Sequence, residues 1–590
     1  MNEIAHRIGQ AEGAVGNILT SQVISDASKL SINASSPKIK KLRRHCRKAA
    51  QFLKENKYTE AQTEALAALD IDENNSLASH IAAIALDRQD HYELALKFYN
   101  RALQADTGNA EIYRNIGLLV WRMEKLDAAE KFFRLEGQIA PDDWQAKNNL
   151  GNVLRDKGQL DDSIELLRAA LYQHPEQSEL WTAIGSTAIY QLQTQEAIQF
   201  HQEAIRLNPE SARGHHNLGF THLTDGDPAQ AVEHFDQALQ YHTEGSFDQI
   251  ASLNARSNAL LACGRIEEGW KEYEIRLNKH APDYVDFLVP LPLWQNEDIT
   301  GKKLLLIGEQ GLGDEILFAS MLNDVTKLVG PDGKIGVAVE PRLVELFKRS
   351  FPHIEVFSHK TGVIAGIKKR AVIEQKDIEN YDVWAALGAP LKHLRNDLSN
   401  FTQPSDGFLK PDADRVAFWK AELEKLPAGR KAGILWKSGI MDIKRGRNFA
   451  GFDAWKPVLE TPGITWINLQ YGDAEADLMR AKEKFGIQIH TLPGIDLKKD
   501  LDDISALSQA LDLIVGPMNA TTNLAAASGT PFWLLWPRTA WTQLGTGQMP
   551  WYPNTRTYSP QELKNWTPAI QALAGDLRAE TEKLGKEKAA

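Results

Sequence analysis

Cysteine is nearly absent: Cys46 and Cys263 are the only two in 590 residues, and they stand far apart in the chain. A disulfide framework is therefore excluded, and the scarcity fits a reducing, cytoplasmic setting. Neither cysteine has His or Asp at metal-ligand spacing, which argues against a structural zinc site. No apolar run reaches the roughly 18 residues of a membrane span, so none is expected. The opening residues, MNEIAHRIGQAEGAVG, carry an acid early and lack a long apolar core, unlike a secretory signal. There is also little excess charge. A net charge of -11, in a chain with 25% charged residues, disfavours a general nucleic-acid binder. One stretch departs from that balance, KIKKLRRHCRK at 38–48. It reads as a solvated helix face ahead of the first repeat, with an anionic partner as the alternative.

What the chain has is a period. Pro141, Pro175 and Pro209 are 34 residues apart, Gly117, Gly151, Gly185 and Gly219 keep the same step, and so do Ala61, Ala95, Ala129, Ser163, Ala197 and Ala231. This is the length of a helix–turn–helix repeat. The Gly or Ala at 83, 117, 151, 185 and 219 belongs in the first helix, where the second must approach closely. The small residues from 61 to 231 belong early in the second helix, and proline starts the following unit, where its missing donor is harmless. The units run 42–75, 76–109, 110–143, 144–177, 178–211 and 212–249, the last with a four-residue insertion, and a terminal unit contains GRIEEGWKEYEIR at 264–276. These positions resemble the tetratricopeptide repeat. The resemblance implies protein recognition, and stacked repeats create a concave surface suited to peptides or helices. Asn115, Asn148, Asn149, His216 and Asn217 fall at or near the phase of that surface, where side-chain amides can grip a partner's main chain. Residues 1–41 read as a short helix and linker, and 42–280 as the α-helical solenoid.

After about residue 276 the period stops. The segment 302–307 reads as a buried strand, 308–314 as a tight glycine turn, and 315–322 as a helix. Gly311 and Gly313 let backbone approach a ligand, and the helix N-terminus favours an anion. GEQGLGD lacks the dinucleotide spacing, and no Walker lysine follows. Further strands are expected at 335–339, 354–357 and near 381–384, with a helix at 341–349, making one α/β module over 285–425. A second occupies 426–560: strands in KAGILWKSG, TWINLQYGD, 487–490, LDLIV and PFWLLW, alternating with helices 474–485, 503–510 and 522–528. Such alternation argues for parallel sheets with ligands beyond the carboxyl ends of the strands. Residues 561–590 read as a helical tail.

GEQGLGDEILFA (308–319), GILWKSG (433–439), NLQYGD (468–473), LDLIVGPMNATTNLAAASGTPFWLL (511–535) and PWYPNTR (550–556) resemble heptosyltransferase-related GT-B glycosyltransferases fused to tetratricopeptide repeats. The resemblance implies a GT-B fold, two Rossmann-like modules facing a crevice, with the tail crossing back onto the first. It implies a catalytic base in the first glycine loop, carried to Asp314 with Glu309 and Glu315 as near alternatives. A capping role for Asp314 is the competing reading. Lys437 and Ser438 stand where donor phosphate would lie, and Gln470, Tyr471 and Gly472 at the next strand end would border the nucleotide. Arg445 and Arg447 would reach a carboxylated or phosphorylated ligand. The loop GPMNATTN departs from the family, which has an Asp-Thr pair and a His there. Asn519, Thr521, Thr522 and Asn523 still form a phosphate seat ahead of an Ala-rich helix. Trp533 and Trp536 read as packing, as do Trp541 and Trp551, with ring stacking on a ligand as the alternative for the last two.

The arrangement looks like bacterial flagellin glycosyltransferases that use CMP-activated nonulosonic acids such as pseudaminic acid. The implied function is protein O-glycosylation in the cytoplasm, with flagellin held by the repeats and the nucleotide sugar as co-substrate. No DxD metal motif stands in the donor module, so metal-independent transfer is expected. Two alternatives stay open: an adaptor whose α/β half has decayed, and transfer to a polysaccharide or lipid-linked acceptor.

Overall fold

The computed structural model describes residues 21–30, 36–364, 367–438, 446, 449–563 and 565–589. A short helix, α1 (Ser21–Lys29), precedes seven helix pairs. They are α2 (Pro37–Lys54) with α3 (Tyr58–Leu69), α4 (Ser76–Asp87) with α5 (Tyr92–Ala105), α6 (Ala110–Arg122) with α7 (Leu126–Ile139), and α8 (Trp144–Asp156) with α9 (Leu160–Gln173). Then come α10 (Ser178–Tyr190) with α11 (Thr194–Leu207), α12 (Ala212–Asp225) with α13 (Pro228–Tyr241), and α14 (Phe247–Ala262) with α15 (Ile266–Tyr273). The helical solenoid is thus present.

Its small residues sit where the period placed them. A Cβ on Gly117 would come within 2.6 Å of the Phe133 ring, on Gly151 within 2.8 Å of Leu167, and on Gly185 within 2.7 Å of His201. Ala61, Ala95, Ala129, Ala197 and Ala231 are fully buried opposite them. The first helices are capped at a recurring position: Asn75 accepts from the Ala78 N–H at 2.9 Å, Asn109 from Glu111 at 3.1 Å and Asp143 from Gln145 at 2.9 Å. Such caps satisfy donors that a helix start leaves free. Successive repeats are cross-linked by polar pairs 35 residues apart. Asn115 meets His80 at 2.8 Å, the Trp121 N–H donates to Asp156 at 3.0 Å, and Arg122 pairs with Asp87.

The chain forms two compact units, Met1–Thr221 with Gln237–Ala251, and His222–Asp236 with Ser252–Ala590. Helix α15 therefore belongs to the second unit. There Trp270 is buried against Tyr273, Trp541 and Trp551, Phe318 packs on the same Trp541 and Trp551, and the Trp270 indole N–H donates to the Arg395 carbonyl at 2.9 Å.

Two six-stranded sheets build the rest of that unit. The first contains β1 (Val285–Leu288), β2 (Lys303–Ile307), β3 (Lys334–Val339), β4 (Glu355–Ile364), β5 (Ile367–Val372) and β6 (Val383–Ala386), in the order β1-β5-β4-β3-β2-β6. All neighbours are parallel except β4 and β5. The second contains β7 (Arg430–Ile434), β8 (Ile464–Asn468), β9 (Ile489–His490), β10 (Leu513–Gly516), β11 (Phe532–Leu535) and β12 (Thr555–Tyr558), all parallel, in the order β12-β11-β10-β7-β8-β9. Leu304–Ile307, Leu513–Gly516 and Phe532–Leu535 are buried throughout, as parallel strands covered on both faces must be. The C-terminal half is an α/β structure.

The tail departs from expectation. Its helix, Thr567–Ala589, stays with the second sheet: Ile570, Leu573 and Leu577 pack in one core with Trp455, Trp466 and Tyr558. The apolar stripe of this helix matches the surface left open beside β11 and β12, and it is consumed there.

Candidate functional site

The first glycine loop joins β2 to α16 (Leu312–Ala319), three residues earlier than the helix read from sequence. Gln310 adopts a left-handed φ of 54°, which is costly for a side chain with a Cβ. Its amide donates to the Tyr273 hydroxyl at 2.7 Å, and its carbonyl accepts from Arg370 at 3.3 Å, so the turn is held from two sides.

The three acids of this loop have three different fates. Glu309 is buried, receives the Arg276 guanidinium at 2.6 and 2.9 Å, and accepts from the Gly388 N–H at 2.6 Å. Glu315 is buried against His359 at 2.7 Å, accepts from the Glu340 N–H at 2.9 Å, and has Arg370 at 3.6 Å. Both oxygens of each are engaged by these internal partners. Asp314 keeps partial exposure. It sits at the third position of α16, where its carboxylate accepts from the Gly311 N–H at 3.1 Å in a capping arrangement. Burial, reinforced by the neighbouring charges of Glu309 and Glu315, pushes its carboxyl up to about 6. Capping and a base-like pKa therefore coexist on one side chain.

Helix α17 (Ala520–Ala527) starts from the second sheet. Asn519 accepts from the Thr522 N–H at 3.1 Å, and the Thr522 hydroxyl accepts from the Asn519 N–H at 2.8 Å. Thr521 and Asn523 are buried in the same turn, and the Asn519 side-chain nitrogen has no partner among the described residues. Gly313 lies against this turn, since a Cβ on it would stand 3.1 Å from the Asn523 amide nitrogen. The Tyr552 hydroxyl donates to Asn523 at 2.9 Å, and the Asp314 charge adds to the burial that raises the Tyr552 pKa. Asp314, Gly313, Asn523 and Tyr552 thus meet between the two sheets. Tyr552 was not singled out from the sequence; it lies inside PWYPNTR, and no local pattern marks it.

The remaining predicted residues gather at the ends of β7 and β8. Gln470 accepts from the N–H groups of Trp436 and Lys437, both at 3.0 Å, and so clasps the two strand ends. The Lys437 ammonium pairs with Asp477 at 2.9 Å. Ser438 and Tyr471 border the same end, and Gly472 turns the chain at a φ of 81°. Arg445 and Arg447 lie outside the described residues. Trp541 and Trp551 fill core, with the Trp551 N–H bonded to the Thr542 carbonyl at 3.0 Å. Among the described residues, no group of three or more His, Cys, Asp or Glu could hold a metal ion, and no helix is long and apolar enough to cross a membrane.

The first unit carries a groove of its own, with a volume of about 180 Å³, on the first helices of the third to sixth repeats. Trp144, Asn148, Asn149, Arg155, Arg213 and Asn217 line it. Arg155 is tied to Asp156 at 2.9 Å, whereas Arg213 has no ion pair among the described residues and its pKa is lowered by burial. The Asn148 side-chain amide oxygen is buried without a partner among the described residues. Asn115 lies deeper, bonded to His80, and burial pushes His216 down to about 3.

The groove of the helical repeats and the cluster around Asp314 in the α/β half are the background for the comparisons. The Tetratricopeptide repeat family profile matches residues 114–178. Protein FlbA of Caulobacter vibrioides is 45% identical over 335 residues, which is 57% of this chain and 56% of that protein. The chain thus spans about half the length of this curated relative. Among solved structures, YrrB, titled a TPR protein with an unusual peptide-binding site, is 20% identical over 28% of this chain and 86% of its own, with a TM-score of 0.25. Pseudomonas aeruginosa PilF is 17% identical over 36% of this chain and 96% of its own, with a TM-score of 0.31.

Proposed function

We propose that the chain is a protein O-glycosyltransferase: the solenoid holds a protein acceptor, flagellin, and the α/β half transfers a nonulosonic acid from a CMP-linked donor. The GT-B assignment, the donor and the acceptor rest on the resemblance of the loops at 308–319, 433–439, 468–473 and 511–535. One observation carries the reading. Asp314 is the loop acid left without a cation, held beside Asn523 and Tyr552 with a pKa raised to about 6.

In this reading the acceptor Ser or Thr oxygen attacks the anomeric carbon and gives its proton to Asp314. The bond from that carbon to the CMP phosphate oxygen breaks, and CMP leaves with the bonding electrons. A carboxyl with a raised pKa takes a proton near neutrality more readily than an ordinary aspartate. The departing phosphate is held by the α17 start, with the Asn519 amide and the Thr521 and Thr522 turn as donors, and by Lys437 once a phosphate competes with Asp477. No metal enters the step as drawn.

The adaptor reading has one observation in its favour, the Lys437–Asp477 pair, which neutralises the expected phosphate ligand. Incubating the purified chain with flagellin and CMP-pseudaminic acid, followed by intact-mass measurement, separates the two. A mass increase of one sugar on flagellin is expected. Flagellin of unchanged mass, bound to an intact chain, would favour the adaptor.

A further inference from the structure

The groove of the solenoid is built from equivalent places on successive first helices. Gln145 on α8, Glu179 on α10 and Arg213 on α12 all line it and stand 34 residues apart. Two of the three groove arginines are neutralised within the fold. Arg114 on α6 pairs with Glu136 at 2.5 Å and with Asp143, while Arg155 on α8 pairs with Asp156 at 2.9 Å and donates to Asn152 at 2.9 Å. Arg213 is the exception. Asp248 on α14 and Glu179 attract it without forming an ion pair among the described residues, and Arg155 repels it. The same groove leaves amides unsatisfied. Asn148 is 8% exposed, and its side-chain oxygen has no partner among the described residues. The Asn217 amide reaches Ser186 at a long 3.3 Å. A half-buried guanidinium without a counter-ion and a buried amide oxygen without a donor both destabilise the free groove. One ligand that carries a carboxylate and a main-chain N–H relieves both.

We infer that this groove binds an extended peptide segment of the protein acceptor, with one Asp or Glu carboxylate of that segment on Arg213 and one of its main-chain N–H groups on Asn148. The segment is extended because about 180 Å³ is far too little for a helix about 10 Å across. The Asn148 oxygen grips main chain and is indifferent to sequence. Arg213 reads one side chain, since a guanidinium fork matches a carboxylate with two parallel hydrogen bonds. Glu179 sets the direction. It holds the place equivalent to Arg213 one repeat earlier, so a guest laid the other way brings its acid against a like charge. The inference rests on the proposed role of the solenoid in holding the acceptor, and names the chemistry by which it does so.

The test selects random heptapeptides, displayed on phage, on the full chain and on its Arg213→Gln and Arg213→Lys variants. Peptides selected on the wild type should carry Asp or Glu at one position above its frequency in the unselected library. The enrichment should vanish on Arg213→Gln and persist on Arg213→Lys, which keeps the charge. A synthetic copy of the most enriched peptide, with its acid exchanged for the matching amide, should bind the wild type roughly tenfold more weakly or worse. Because Arg213 has no counter-ion in the free chain, Arg213→Gln should unfold at no lower temperature than the wild type. No acid enrichment on the wild type, or the same enrichment on Arg213→Gln, would overturn the inference. So would a clearly lower unfolding temperature, which would show that Arg213 is satisfied within the fold. Flagellin forms the second arm, and Arg213→Gln should weaken its binding roughly tenfold or more. Equal binding by both chains would overturn the carboxylate as the acceptor's contact. If flagellin does not bind the wild-type chain, the acceptor reading fails, while the peptide selection still decides what the groove takes.

Discussion

The solenoid and the α/β half neutralise their buried charges in different ways. In the solenoid, Asp87 meets Arg122 and Glu136 meets Arg114 at 2.5 Å, partners on the same or the adjoining repeat in a register that recurs along the chain. In the α/β half, Glu309 reaches back to Arg276, and Glu315 is shared by His359 and Arg370 from strands further on. Asp314, between them, has no cation among the described residues, and its pKa rises. A charge that is fully paired holds a fold together; a carboxylate left facing two others is set up for proton chemistry. In the proposed function, recognition falls to the repeats and reaction to the acid that the folding network leaves over.

The largest expected effect comes from breaking that network. Arg276→Ala leaves Glu309 buried and uncompensated, and should destabilise the α/β half by about 3–5 kcal/mol. Thermal unfolding should then show a lowered transition for this half, with the solenoid's helical signal lost at its usual temperature. A single undivided transition, shifted as a whole, would show that the two regions do not melt separately and would blunt the comparison.

Next in size is donor binding. Lys437→Ala should weaken CMP binding by roughly 1–3 kcal/mol, the scale of a charged hydrogen bond, while Asp477→Asn should tighten it by releasing the ammonium. Calorimetry on both variants, with CMP and UDP compared, tests this. An unchanged affinity in both would remove Lys437 from the donor site.

The smallest expected effect lies in the groove. Asn149→Ala removes one groove amide and should cost the acceptor about 1 kcal/mol, a four- to sixfold loss in flagellin affinity with donor affinity unaltered. A loss in donor affinity instead would contradict the division of labour.

Legibility followed the same divide. The 34-residue step located the helix pairs and the close contacts of Gly117, Gly151 and Gly185, because each repeat repeats its neighbours' packing. The strands LLLI, LIVG and FWLL were legible as short apolar runs. Three edge or hairpin strands, β1, β5 and β12, were not: IKKRAV and TRTY are half polar and owe their conformation to a neighbour in the sheet. The Arg276–Glu309 pair and the Tyr552–Asn523 bond join segments with no common period, and only the folded chain brings them together. Asp314 was named from its loop, but what separates it from Glu309 and Glu315 is the set of partners the other two acquire.

The most direct test of the account is Asp314→Asn, assayed for sugar transfer to flagellin by intact mass, with donor and acceptor binding measured on the same protein. Asparagine can still accept from the Gly311 N–H, so the cap survives. Ionising the wild-type carboxyl is harder in the fold than in the unfolded chain, so its contribution to stability falls as pH rises from about 4 to about 6. The amide variant should therefore be at least as stable as the wild type at pH 7. Transfer should fall by about 10²–10⁴-fold with both binding steps intact, and wild-type kcat/KM should drop about tenfold per pH unit below about 6. Near-normal transfer by Asp314→Asn would contradict the account and return the acid to a purely structural role.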